Sequence, residues 1–433
     1  MSISRRGLFG LAGGLAAASV AGCGFAPTSG GGAASNSLTF RWWGGEARNK
    51  AYQAALKIFT EKTGIKVDAQ YSGYDGYFNK LNTEFAGGNP PDLFQMDTAL
   101  VSTYAAKGVL TDLSSFIPGT IHLDTLYPAV RSAGSVDGKP YGVPSGSGIA
   151  PVLYDKTIFE QAKIPVPSDN WTWNDFARIA GELSKAMGQG KYGSLDASKD
   201  DSGALQPWLR QRGKDLYNAE GKLAFGKDDL AEWFTFWDGL RKSGAICPPE
   251  MLSNTDSATG NHPLIAGQIA MTTGWGLAQM APLTQHTLDI VVVPRSSDGK
   301  TGQAISGGVL LSVPVKSKNA EGAAKLIDFF ISDVDAIKAM AMSRGIPPSS
   351  KALETLTPTL TAADKRDVTY AQYVADEVAK DALPSAPTAP PGYNDAKTAL
   401  DAAAKQVAFG KMSIPDAVAM YFRDAEAALN GAK

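Results

Sequence analysis

Trp43 closes a run in which Leu38, Phe40 and Trp42 alternate with Thr39, Arg41 and Trp43. Trp42 takes the inward phase of that alternation. Trp43 therefore faces outward at the carboxyl end of a strand, the end at which open α/β sheets bind ligands. An indole there offers a flat face for stacking on a ring, or else caps the core. Gly44 and Gly45 behind it let backbone approach closely. Tyr74 and Asp75, between Gly73 and Gly76, hold the equivalent place in the loop after the next strand-like run, where a plain turn would also explain them. Asp97 ends a third run. Its carboxylate can accept two charge-assisted hydrogen bonds from hydroxyl groups, or cap a helix that starts near Ala99. Arg48, in the opening turn of the first helix, carries a planar fork that pairs bidentately with a carboxylate. Trp275 lies between Gly274 and Gly276, surroundings foreign to a packed helix and suited to a cleft. Gly307 and Gly308 give the chain room beside a bound molecule, or make a bulge. Arg344, ahead of the Gly345-Ile346-Pro347-Pro348 turn, either reaches the same space or stays on the surface.

Other chemistries lack their residues. His122, His262 and His286 stand far apart and outside any HExxH spacing, so neither a metal nor another cofactor is expected. The sequence has no GxxxxGK[ST] phosphate cradle, no GxGxxG opening a helix after a strand, and no GxSxG elbow. One rival stays open, an anchored extracellular glycan-degrading enzyme. It would need two carboxylates about 5 to 9.5 Å apart, and the loops that hold the aromatic candidates carry no cluster of acids. The expectation is a chain that binds and does not catalyse.

The elements that must position these groups follow from periodicity. Tyr52, Ala55, Leu56 and Phe59 fall at i, i+3, i+4, i+7, which makes a helix after the first strand, and Gly64 stops it. Ile65, Val67, Ala69 and Tyr71 alternate as a second strand, a helical stretch runs from Tyr77 to Phe85, and residues 92–97 read as a short buried strand. Strand, helix, strand is the unit of a parallel sheet, so the fold class is α/β. Further on, Leu230, Trp233, Phe234 and Trp237 share one helical face and read as core. Strands are expected at 288–293 and 309–313, helices along Ala324 to Ile331 and Ala417 to Leu429, and a Pro-rich loop at 383–391.

The first residues set the compartment. Arg5-Arg6 precedes an uncharged apolar run too short to span a bilayer, and Val20-Ala21-Gly22-Cys23 then places small residues before a cysteine. This is a twin-arginine lipoprotein signal peptide over residues 1–22. Cys23 becomes the acylated terminus, with palmitate among its chains, and anchors the protein to the outer face of the cell membrane. Residues 23–37, rich in Gly, Ser and Ala, form a flexible tether. The chain holds 41 basic and 43 acidic residues. Losing Arg5 and Arg6 takes the net charge to about −4, so no basic field suggests nucleic acid. Cys247 then stands alone, so the fold must rest on a core instead of an internal disulfide.

In order along the chain come Trp42-Trp43-Gly44-Gly45-Glu46-Ala47-Arg48, Tyr71 to Tyr77, Pro91 to Asp97, Asp137 to Pro144, Leu153-Tyr154-Asp155-Lys156, Trp171-Thr172-Trp173, Gly267 to Met271 with Gly274-Trp275, and Ser306-Gly307-Gly308. Together they resemble the extracellular solute-binding proteins, family 1, of carbohydrate ABC transporters, over nearly the whole mature chain. The opening motif is most similar to members that take up oligogalacturonides. The resemblance implies two α/β lobes joined by a hinge and closing on a sugar or oligosaccharide, the first lobe being 38–143 plus 307–347 and the second 144–306 plus 348–433. It implies ABC permease subunits as partners and a monomeric receptor. It also adds Glu46 to the candidate contacts, and Tyr154 and Trp275 as aromatic faces from the second lobe.

Overall fold

The computed structural model describes residues 36–148, 150–252, 262–304, 308–381 and 389–431. Cys23, the leader and tether, Gly307 and most of the Pro-rich loop lie outside them, as does the side chain of Asp75.

Strand β1 (Ser37–Trp43) buries Leu38, Phe40 and Trp42 on one face, as its alternation requires. Helix α1 (Glu46–Thr63) buries Tyr52, Ala55, Leu56 and Phe59 in one stripe and closes at Gly64, whose N–H donates to the Thr60 carbonyl. Strand β2 (Lys66–Ser72) pairs parallel to β1 at the sheet edge, which leaves Tyr71 42% exposed. Helix α2 (Tyr74–Ala86) then begins at once, with Gly73 as its extended N-cap. Tyr74 and Asp75 thus open a helix and do not sit in a loop. Buried Tyr77 and Leu81, four residues apart, hold that helix on the sheet.

Strand β3 (Leu93–Asp97) is also parallel to β1, and the sheet continues with the strands Val309–Ser312 and Val143–Pro144, both antiparallel contacts, in the order β2-β1-β3-(309–312)-(143–144). Asp92 ties the start of this sheet together. One carboxylate oxygen accepts from the Thr39 N–H at 2.8 Å and its hydroxyl at 3.0 Å. The other accepts from Ser317, Lys318 and Asn319 at 2.7–3.0 Å. Burial opposes ionisation of Asp92, but these donors outweigh it and its pKa falls below the usual value. The sheet has apolar cover on both faces. Phe40 and Trp42 meet Tyr52, and Phe40 also meets Phe330, at centroid distances of 4.8–5.8 Å. Tyr77, Phe94, Met96 and Tyr104 form a cluster with different members.

The strands Met271–Thr273, Val152–Asp155 and Leu288–Val291 make a separate antiparallel sheet. Helices Trp173–Met187, Lys227–Lys242, Tyr393–Ala408 and Ile414–Gly431 contribute to its core. Trp233 and Trp237 are buried there, 5.4 Å apart, which agrees with their core reading. The two cores share no residue. In sequence order, core residues fall in the first at 38–143, the second at 152–293, the first again at 310–340 and the second at 370–429. Beyond them, helix Ser350–Leu356 packs through Ala352 and Leu356 on Ile337.

Where the chain passes between the cores, its segments touch. Ser147 and Ile346 exchange two backbone hydrogen bonds at 2.9 and 3.0 Å, and the Ser145 N–H donates to the Val309 carbonyl at 2.8 Å. Gly146 is required by this proximity, because a Cβ there would stand 2.1 Å from the Arg344 carbonyl oxygen. Gly308 has φ +61° and is also crowded, with 2.8 Å from its would-be Cβ to the Gly146 carbonyl oxygen.

Candidate binding cleft between the two cores

The first wall is built on strand ends. Trp43 is half-buried at the end of β1 and meets Tyr74, Tyr77 and Phe78 at 5.3–5.7 Å, edge-on or tilted. Tyr74, 48% exposed, donates its hydroxyl to Asp97 at 2.8 Å. The other oxygen of Asp97 accepts from the Ala99 N–H at 2.9 Å. Asp97 does not cap a helix as expected, because the next one starts only at Val101 with Leu100 as its N-cap; one oxygen turns the chain instead and the other meets an exposed phenol. The next residue, Thr98, donates its hydroxyl to the Gly308 carbonyl, bringing the returning chain to the same strand end.

Of the second wall, only Trp275 was expected from the sequence. Thr273 ends a strand of the antiparallel sheet and donates to Asp200 at 2.7 Å, while the Gly203 N–H donates to the other Asp200 oxygen at 2.9 Å. Burial raises the Asp200 pKa. Next to it, Asp201 accepts from the Tyr393 hydroxyl at 2.6 Å and pairs with the Lys397 ammonium at 3.4 Å. Asp201 is 4% exposed and Lys397 is 49% exposed. Asp201 first, then Asp200 and Asp97, raise the Lys397 pKa, and Asp97 acts on Tyr393 too. Asp97 of the first wall therefore lies within electrostatic range of the second. Trp275, two residues beyond Thr273, is half-buried and meets the His262 ring edge-on at 6.0 Å.

Several expected contacts are placed differently. Arg48 donates to the Ser343 carbonyl at 2.8 Å and the Trp43 carbonyl at 3.1 Å, so its fork staples main chain. Arg344, expected in the cleft or on the surface, is 9% exposed, donates to the Phe330 carbonyl at 3.2 Å, and lies over the Phe330 and Tyr52 rings. Burial lowers the pKa of both guanidiniums. Tyr154 is 5% exposed, packs on Phe159 and donates to Asp289 at 3.2 Å. It is a core residue with no face to offer, because its strand is central in a sheet covered by helices. Glu46 is exposed, accepts from Tyr71 on the edge strand at 3.1 Å and stands 3.8 Å from Lys50. Among the described residues, no three His, Cys, Asp or Glu side chains converge as a metal site.

Residues 54–371 match the family model of the bacterial extracellular solute-binding proteins. The chain belongs to that family. The resemblance read from its sequence thus stands, and so does the two-lobed α/β fold. An erythritol/L-threitol-binding protein of Mycolicibacterium smegmatis is 26% identical over 280 residues, covering 59% of this chain and 54% of that one, so this solute-binding protein aligns with about half of that relative's length. A diacetylchitobiose binding protein, DasA, of Streptomyces coelicolor is 26% identical over 317 residues, 70% of this chain and 71% of the relative. A periplasmic oligogalacturonide binding protein of Yersinia enterocolitica, solved with saturated digalacturonic acid, superposes with TM-score 0.80 over 92% of this chain and 99% of that one, at 20% identity. At that identity the likeness is one of fold.

Proposed function

We propose that this solute-binding protein captures a sugar, polyol or short oligosaccharide between its lobes and delivers it to the permease subunits of an ABC importer, other chains hydrolysing ATP. The observation that carries the reading is that Asp97, beside the aromatic rings of Trp43 and Tyr74 on one core, lies within electrostatic range of the partly exposed Lys397 on the other. Aromatic faces stack on sugar rings and carboxylates accept hydroxyl hydrogen bonds. Micromolar affinity requires only about 8 kcal/mol, within reach of a few such contacts. Nothing in this chemistry calls for catalysis. The first lobe would comprise residues 38–143 and the stretch that returns near 308, extending through the helix Ser350–Leu356; the second would hold the remainder.

A thermal-shift screen with neutral sugars, polyols and uronates, run beside a hydrolysis assay on the same compounds, tests the reading. A ligand at a hundredfold excess over Kd should stabilise the protein by about 2.7 kcal/mol. Hydrolysis products in place of a saturable shift would favour the glycan-degrading alternative. We further propose export as a monomeric lipoprotein through the twin-arginine leader, held by acylated Cys23. Cys23→Ser should then give a soluble, ligand-competent protein, and continued partition of that variant into membranes would end the lipid-anchor assignment.

A further inference from the structure

The charged groups around the cleft bear on which ligand it takes. On the first wall Asp97 uses one oxygen on the Ala99 N–H and the other on Tyr74. On the second, Asp201 is matched by Lys397 at 3.4 Å, and Asp200 is used by Thr273 and Gly203. The cation of this group is already paired, and Asp97 adds a negative charge opposite it. A ligand carboxylate needs donors not otherwise engaged, best of all a guanidinium fork. Arg48 donates to two main-chain carbonyls. Arg344 keeps an unpartnered Nη1, but it is 9% exposed beside Tyr52 and Phe330. The Nε–Nη1 edge of Arg48 is thus committed to main chain, and Arg344 is buried.

We propose that the cleft is built for a carboxylate-free polyhydroxy ligand and rejects uronates of the same size. The inference rests on the binding reading above and narrows it. Hydroxyl groups donate to carboxylates such as Asp97, whereas an ionised uronate can only accept. It would enter beside Asp97, and like charges in a partly desolvated space repel strongly. Specificity would then come from an unfavourable element against the wrong ligand as well as from contacts to the right one.

The test is titration calorimetry on the mature protein with neutral sugars and polyols, including galactobiose, N,N'-diacetylchitobiose and erythritol, against digalacturonic acid. The best neutral compound should bind at least about tenfold more tightly than the uronate. Asp97→Asn keeps the acceptor for the Ala99 N–H and removes the charge, so it should narrow that gap by about threefold or more. A uronate bound as tightly as the best neutral compound overturns the inference and leaves the binding reading intact. A gap unchanged by Asp97→Asn overturns its electrostatic origin. Absence of saturable binding by either class overturns both.

Discussion

Trp275 is the residue at which packing and binding are easiest to separate. It is half-buried against the second core yet stands two residues after Thr273, whose hydroxyl holds Asp200. A cleft ring of this kind should cost about 2–4 kcal/mol of binding when replaced by Ala. The unliganded protein should lose only about 1–2 kcal/mol, because part of the ring is already in water. Calorimetric titration and ligand-free melting of Trp275→Ala decide the matter; a stability loss of about 3–5 kcal/mol with unchanged affinity would make it a core residue. Its neighbour His262 gives a pH prediction. The ring is 1% exposed, and burial lowers its pKa to about 4. An unfolded histidine titrates near 6.5. Between those values the unfolded chain takes up a proton that the folded one refuses, so this contribution is complete above about pH 6.5 and declines as pH falls to about 4. The amount is on the order of 3 kcal/mol. His262→Gln should flatten the melting temperature between pH 7 and 4.5 relative to wild type, and parallel curves would show that the ring titrates normally.

At the scale of elements, the same substitution should have opposite signs at two glycines. Gly239 lies exposed inside the helix Lys227–Lys242 with nothing within 4 Å of an added Cβ, so Gly239→Ala should stabilise by about 0.5–1 kcal/mol. Gly146 faces the Arg344 carbonyl, and neither backbone can yield without disturbing the Ser147–Ile346 pair. Gly146→Ala should cost about 1–3 kcal/mol in urea unfolding, and ligand affinity should fall with it if this junction sets how the lobes close. A neutral effect would mean that the connection is looser than its hydrogen bonds imply. The elements themselves were largely legible. The stripe Tyr52, Ala55, Leu56, Phe59 and the alternation Leu38, Phe40, Trp42 report burial directly, because one face of each must leave water. Tyr74 and Asp75 were misplaced into a loop because Gly73 and Gly76 read as turn residues, whereas Gly73 caps a helix and Gly76 lies inside it. The second wall gave weaker signals. Asp200-Asp201 is an adjacent acid pair, and Tyr393 and Lys397 are four apart on one helix, but no local pattern brings residue 393 near residue 97. Arg48 and Arg344 misled for the complementary reason, since residue type announces a carboxylate partner and only the fold shows carbonyls in its place.

At the scale of the molecule, the discontinuity is what sequence periodicity cannot supply. The strand Val309–Ser312 looks like any short apolar run, and its place between β3 and Val143–Pro144 is fixed by long-range pairing. The consequence is two cores with no shared residue, linked through the segments around Gly146, Gly308 and Ile346. Two such bodies need not melt as one, because two-state unfolding is secure only where one core holds the whole structure. Without ligand, the van't Hoff enthalpy of unfolding should therefore fall below the calorimetric enthalpy. A ligand touching both walls changes this. Its binding energy is available only while both lobes are folded and apposed, so each lobe's unfolding forfeits the same contacts and the two transitions are driven together. Scanning calorimetry at saturating ligand should show one sharper transition with the enthalpy ratio approaching unity. Lys397→Ala, which weakens one wall while leaving the first core untouched, should recover part of the separation. A ratio that ignores ligand would mean that the ligand contacts one lobe only, and the wall formed by Tyr393, Lys397 and Asp201 would then lose its role.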